Sequence, residues 1–198
     1  MKKVRILLSA IVIGALLFAL TACGGAKGAL SSFVSAAKRL DFEKASEYCM
    51  DGDLVKEGGD MTEAAASLSM YIDATTEDLT DFYEDMMKDC LREFKYSVDS
   101  STESEDGKEI TLEITYSNIN VMELMTKYGV SLGMEIISGG KVSLETAKTK
   151  FDAELKTAKS AEKKENTATI KAVQDEEENW KLESGVAVLA LMMAGSAG

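Results

Sequence analysis

Cys23, Cys49 and Cys90 are the three cysteines of this chain, which has 34 acidic residues and no histidine. Histidine is the usual acid and base at neutral pH and the commonest metal ligand. Its absence excludes Ser/His/Asp triads, Cys/His dyads and histidine metal sites. A carboxylate base working with a tyrosine hydroxyl needs no histidine, but the carboxylate must be desolvated to work near neutral pH. Asp and Glu crowd the predicted loops and the outward strand positions, and none stands alone in an apolar strand face, so no catalytic residue is assigned. Asp51 and Asp53 share the first spacing of a calcium loop. The pattern then fails, because Val55 stands where an oxygen ligand is needed and Lys56 where glycine makes the turn. No metal and no cofactor is assigned. Cys49 and Cys90 leave two equal readings: one disulfide outside the cytoplasm, or two buried thiols acting as small apolar residues.

Cys23 differs from the other two in what precedes it. Lys2, Lys3 and Arg5 form a positive tip, and an apolar run from Ile6 to Leu20 follows, too short to span a bilayer comfortably. That is the layout of a secretory signal. Its end, Leu20-Thr21-Ala22-Cys23, resembles the lipobox of bacterial lipoproteins. The resemblance implies a cut before Cys23, a diacylglyceryl group on its thiol and attachment to the outer face of the cell membrane, in a bacterium of Gram-positive type. Two acyl chains give the stable anchoring that one chain does not. The expected division is a signal at 1–22, a lipidated cysteine with a flexible tether at 23–29, and one domain at 30–198. The chain carries a formal charge of −12, and removing a basic signal without acidic residues makes the remainder more acidic still. Such a surface repels phosphate backbones, which excludes nucleic acid as a partner.

Periodicity supplies the elements. Leu30, Phe33, Val34, Ala37 and Leu40 recur at helical spacing, and Asp41 stands as the N-cap of a second short helix carrying Phe42, Ala45, Tyr48 and Cys49. Thr62 is read as the cap of a helix through Leu68, Tyr71 and Ile72. Thr76 is read as the cap of the next, with a core stripe of Leu79, Phe82, Tyr83, Met86 and Cys90. The period then falls to two: Phe94, Tyr96 and Val98 alternate with polar residues, as do Ile110, Leu112, Ile114 and Tyr116. Asn120 with Glu123 forms a capping box for a helix along Val121, Leu124, Met125, Tyr128 and Leu132. Ser143 begins its partner, with Leu144, Ala147, Phe151, Leu155 and Ala158. This pair is an αα-hairpin inserted at 119–163. Thr167 to Val173 and Trp180 to Leu182 are the last strands, and the apolar stretch from Gly185 is read as a short terminal helix that packs on the sheet, the alternative being an exposed partner-binding peptide. Helices and strands that do not strictly alternate predict an α+β fold, with an antiparallel sheet of about four strands packed on N-terminal helices.

The stretch FVSAAKRLDFEKASEYCMDGD at 33–53 resembles the opening of small lipoproteins with a nuclear-transport-factor-like, or cystatin-like, cone domain. There a glycine precedes the Asp-Phe-Glu-Lys-Ala turn, and here Leu40 takes its place. NWKLE at 179–183 is similar to their last strand, and YSNINVMELM together with the helical insertion resembles uncharacterised clostridia-like lipoproteins. The resemblance implies a curved sheet over helices with a pocket, for which Tyr96, Tyr116 and Trp180 are the candidate lining. The expected function is a non-catalytic module binding an unknown small ligand or envelope protein. The alternatives are a carboxylate and tyrosine isomerase or dehydratase in the cone pocket, and a structural envelope-docking protein.

Overall fold

The structure, a computed structural model, describes residues 25–51, 54 and 61–194. Cys23, with the cleavage and lipid attachment expected there, and Asp53, Val55 and Lys56 of the rejected calcium loop lie outside the described residues.

The first helix, α1, runs through 25–37 and buries Ala26, Leu30, Phe33, Val34 and Ala37 along one stripe. The tether expected over 23–29 is corrected at 25–29, which is already helix. Ala26 and Ala29 are buried there, because their small side chains let the helix lie close against its neighbours. Lys38 Nζ donates to the Phe94 carbonyl at 2.6 Å, tying the end of α1 to the entry of the sheet. Leu40 turns the chain with φ 60°, and Asp41 then caps α2 (Phe42–Ser46) by accepting from the Lys44 N–H at 3.1 Å.

Two corrections follow. Helix α3 (Met61–Leu68) contains Thr62 within it, and Ile72 lies beyond it in a two-residue strand, β1 (Ile72–Asp73). The cap of α4 (Thr76–Arg92) is Thr75, one residue before the expected one, whose hydroxyl accepts from the Asp78 N–H.

The sheet contains β2 (Lys95–Glu103), β3 (Glu109–Ser117), β5 (Asn166–Gln174) and β6 (Trp180–Leu182), antiparallel throughout in the order β2-β3-β5-β6. Ile110, Leu112, Ile114 and Tyr116 from β3, with Ile170, Ala172 and Leu182, form its buried face against α1. The intervening Thr111, Glu113 and Thr115 stay on the outer side, as period-two alternation requires when one face meets water. The fold is therefore the α+β arrangement that the pattern indicates.

The inserted pair is α5 (Val121–Gly139) and α6 (Leu144–Ser160), capped by Asn120 and Ser143 as expected. Between them lies β4 (Val142–Ser143), which pairs in parallel with β1: Ile72 with Val142 and Asp73 with Ser143. The pair packs on α4, giving a second core of Leu79, Phe82, Met86, Tyr128 and Phe151. Phe151 stands edge-on to both Phe82 and Tyr128, at centroid distances of 6.3 and 5.6 Å.

The last helix, α7 (Gly185–Ala194), buries Gly185, Val188 and Met192, so the apolar terminus is core. Asn118 fixes its far end by donating from Nδ2 to the carbonyls of Leu191 and Met192, at 3.0 and 2.8 Å. No helix among the described residues is long and apolar enough to cross a membrane.

Candidate functional site: the Trp180 cleft

Trp180 is held from three directions. Behind it, the β5–β6 turn is organised by the Asp175 carboxylate, which accepts from the N–H groups of Asn179 and Glu177 at 2.9 and 3.0 Å. The hydrogen bond from Asn179, helped by Lys181 Nζ at 3.2 Å, holds this carboxyl below its ordinary range. Glu178 completes the turn with φ 64°. To one side, residues 48–50 lie along β6: Leu182 N–H donates to the Tyr48 carbonyl and Met50 N–H to the Leu182 carbonyl, both at 2.8 Å. This pairing brings Tyr48 beside Trp180. Beneath it is Gly25, where an added Cβ would lie 2.2 Å from Trp180 Cδ1, so only glycine permits the indole to lie there.

The result is a cleft of about 750 Å³ whose walls include Trp180, Tyr48, Gly25, Glu47, Glu177 and Glu178, together with the ion pair of Asp175 and Lys181. Two aromatic faces beside several carboxylates suit a ligand with a cationic nitrogen, which ring quadrupoles and negative charge both attract. The chain supplies an internal example. Lys44 Nζ lies 5.6 Å from the centroid of the Tyr48 ring, while also pairing with Glu47.

The three aromatics expected to share a pocket do not converge. Tyr96 and Tyr116 are cross-strand partners on β2 and β3, and Phe94 packs on both rings at centroid distances of 5.9 and 5.8 Å. They fill core. Trp180 is on the last strand of the sheet, with β5 between it and β3. Cys49 and Cys90 are separate thiols in different cores, Cys49 under the sheet and Cys90 among the helices, so the structure contains no bridge between them. Burial, joined by the charges of Asp89 and Glu93, pushes the Cys90 thiol up to about 12. The Gly185 Cα packs against Cys49: a Cβ there would come within 2.7 Å of its Sγ.

Asp51, once half of a calcium pattern, has another use. Its carboxylate accepts from the Ser184 hydroxyl and from the N–H groups of Gly185 and Val186, capping α7. Among the described residues no three carboxylates or thiols converge on a metal position. Glu93 receives Lys163 at 2.7 Å and Lys159 at 3.3 Å. Burial raises its carboxyl, but these two cations outweigh burial and hold it low. That cluster ties α4 to the far end of α6.

Of the three candidate aromatics only Trp180 lines this cleft, and its neighbours there, Tyr48, Glu47 and Gly25, carry no such signal in the sequence. Nothing local signals that residues 48–50 run along β6. Gly25 has the sequence context of a tether, since glycines beside a leader are ordinarily flexible, yet it begins α1.

No family model and no curated protein matches the chain. Among solved structures it is similar to a candidate lipoprotein (ycdA) of Bacillus subtilis subsp. subtilis str. 168. The identity is 18% and the TM-score 0.50, over 88% of this chain and 56% of that one. The chain thus spans little more than half the length of that neighbour, and at such identity the likeness concerns the fold alone. The intermembrane space region of the chloroplast protein ARC6 covers 80% of this chain and 90% of its own, at 15% identity and a TM-score of 0.22, too low to carry an argument.

Proposed function

We propose that this chain is a lipid-anchored, extracytoplasmic bacterial lipoprotein whose domain binds a small ligand without catalysis, and that its binding site is the Trp180 cleft. The observation that carries the reading is the contact of Trp180 with Gly25. It puts an aromatic, acid-rimmed cleft two residues from Cys23, where the lipobox resemblance locates the anchor. The fold shared with a candidate lipoprotein of Bacillus supports the reading. In this reading residues 1–22 are removed, Cys23 carries the diacylglyceryl group at the face of a Gram-positive cell membrane, and a single domain begins at Gly25 with its helical insertion at 119–163. The cone-fold kinship belongs to the same proposal, supported by the α1–α2 turn and the four-stranded sheet.

The ligand is a small molecule with an ammonium or similar cationic group, because four carboxylates (Glu47, Asp175, Glu177 and Glu178) outnumber the one lining cation, Lys181, and repel anions, while Trp180 attracts cations. The chain has a single tryptophan, so its intrinsic fluorescence reports the cleft alone. Titration with primary amines should shift the emission saturably, whereas carboxylates of the same size should not. Emission indifferent to every amine overturns the assignment of the site. Cys23→Ala should accumulate as an unprocessed precursor without fatty-acid label, and normal processing of that variant overturns the anchor.

A further inference from the structure

Resting on that reading, we infer that the Trp180 cleft faces the membrane to which the chain is anchored, and that its cationic ligand is the ammonium of a zwitterionic lipid headgroup. Two residue steps separate Cys23 from Gly25, and an extended chain covers at most about 7 Å in two steps. Gly25 touches the Trp180 ring, so no slack remains between anchor and cleft. The headgroup layer on each side of a bilayer is roughly 5–7 Å deep. A lipid bound at the Cys23 sulfur therefore brings the indole to the level of the headgroups, where tryptophan is favoured by its apolar body and polar N–H.

Charge selects among the headgroups. The cleft is lined by Glu47, Asp175, Glu177 and Glu178 against one cation, Lys181, which pairs with Asp175, so its charge stays negative. An anionic phosphoglycerol headgroup is repelled there, within the Debye length of the surface. An ethanolamine headgroup offers an ammonium to Glu177, Glu178 and the Trp180 ring, in the way that Lys44 serves Glu47 and Tyr48. The lipid tails supply the anchoring, and the cleft sets which lipid lies beside the domain and which way the domain stands.

The test uses the full chain, processed and acylated in cells and reconstituted into vesicles of phosphatidylglycerol alone or mixed equally with phosphatidylethanolamine. Nitroxides placed near the glycerol or near the tail ends of the lipids serve as quenchers of Trp180. The shallow nitroxide should quench and the deep one should not, with about three-fold stronger quenching when ethanolamine lipid is present, the scale of an exposed cation–π contact. The double variant Glu177→Gln, Glu178→Gln should lose that lipid dependence while remaining acylated. An acylated chain whose Trp180 is reached by aqueous iodide and by neither nitroxide overturns the inference and leaves the lipoprotein reading standing. A response to dissolved ethanolamine as large as that to the lipid overturns the headgroup and assigns the cleft to a free amine. A chain recovered without acyl label overturns the anchor and the inference together.

Discussion

The Asp51 carboxylate holds the Ser184 hydroxyl at 2.6 Å across 133 residues of sequence, and the same carboxylate caps the first turn of α7. One side chain thus fixes the loop after α2 to the start of the last helix. Asp51→Ala should cost about 1 kcal/mol in equilibrium unfolding, the ordinary worth of an N-cap. Burial raises this carboxyl, but the hydrogen bonds from Ser184, Gly185 and Val186 outweigh it and depress the folded value. The contribution is therefore complete above the unfolded value of about 3.9 and disappears as pH falls through the depressed folded value. Urea titrations of both proteins between neutral and strongly acid pH should show the difference shrinking only at the acid end.

Tyr128 is buried with a hydroxyl that has no hydrogen-bond partner among the described residues, and burial pushes its ionisation up to about 12. Its ring packs edge-on against Phe151. Tyr128→Phe keeps the ring and removes the unsatisfied group, so stability should rise by about 1 kcal/mol. Thermal melting decides; a loss of stability would mean that the hydroxyl has a partner.

Both buried cysteines should resist alkylation in the native fold. Cys90 is held as a neutral thiol, and Cys49 lies beneath Gly185. Maleimide labelling followed by mass spectrometry should find both unmodified under native conditions and both modified in denaturant without reductant. Failure to label in denaturant until reductant is added would show a disulfide.

Glu178 is exposed and stands at φ 64°, where an L side chain costs about 1–2 kcal/mol. Glycine removes that strain and loses part of the gain to the freer unfolded chain. Glu178→Gly should raise stability by about 0.5–1 kcal/mol, measured by chemical denaturation. Leu40, at φ 60°, gives a less simple result because it also packs against the sheet-side core.

The terminal helix is tested by its most buried residue. Met192 is fully enclosed, and Met192→Ala should cost about 2–5 kcal/mol. Ending the chain at Ser184 removes Val188 and Met192 together and should abolish cooperative unfolding. A truncated chain that still melts cooperatively would make α7 an accessory element.

Much of this architecture is legible from periodicity. The alternation from Ile110 to Tyr116 is the buried face of β3, and the capping residues Asp41, Asn120 and Ser143 stand where the helices begin. Elements too short to have a period escaped: β1 and β4 are two residues each, and residues 71–72 read as the end of a helix because apolar spacing continues across the break. Alternation identifies the inward residues of a strand but not its neighbours. Tyr96, Tyr116 and Trp180 share the inward pattern, and strand order separates the third from the first two. The lining of the cleft depends on contacts between residues far apart in sequence, and no local signal announces them.

The small parallel ladder of Ile72 with Val142 has a consequence for how the chain is laid out. Each of its strands leads into a helix of 17 residues, β4 directly and β1 after Ala74 and Thr75, and the caps Thr75 and Ser143 have dihedrals within a few degrees of each other. Each of those helices is followed by a strand of nine residues, and both of those strands pair with β3. Helix, short strand, helix, long strand is thus written twice, with β3 as the seam between the copies. Thr75 and Ser143 cap corresponding helices, although the ladder aligns Ser143 with Asp73, and the ladder is where the two copies clasp each other.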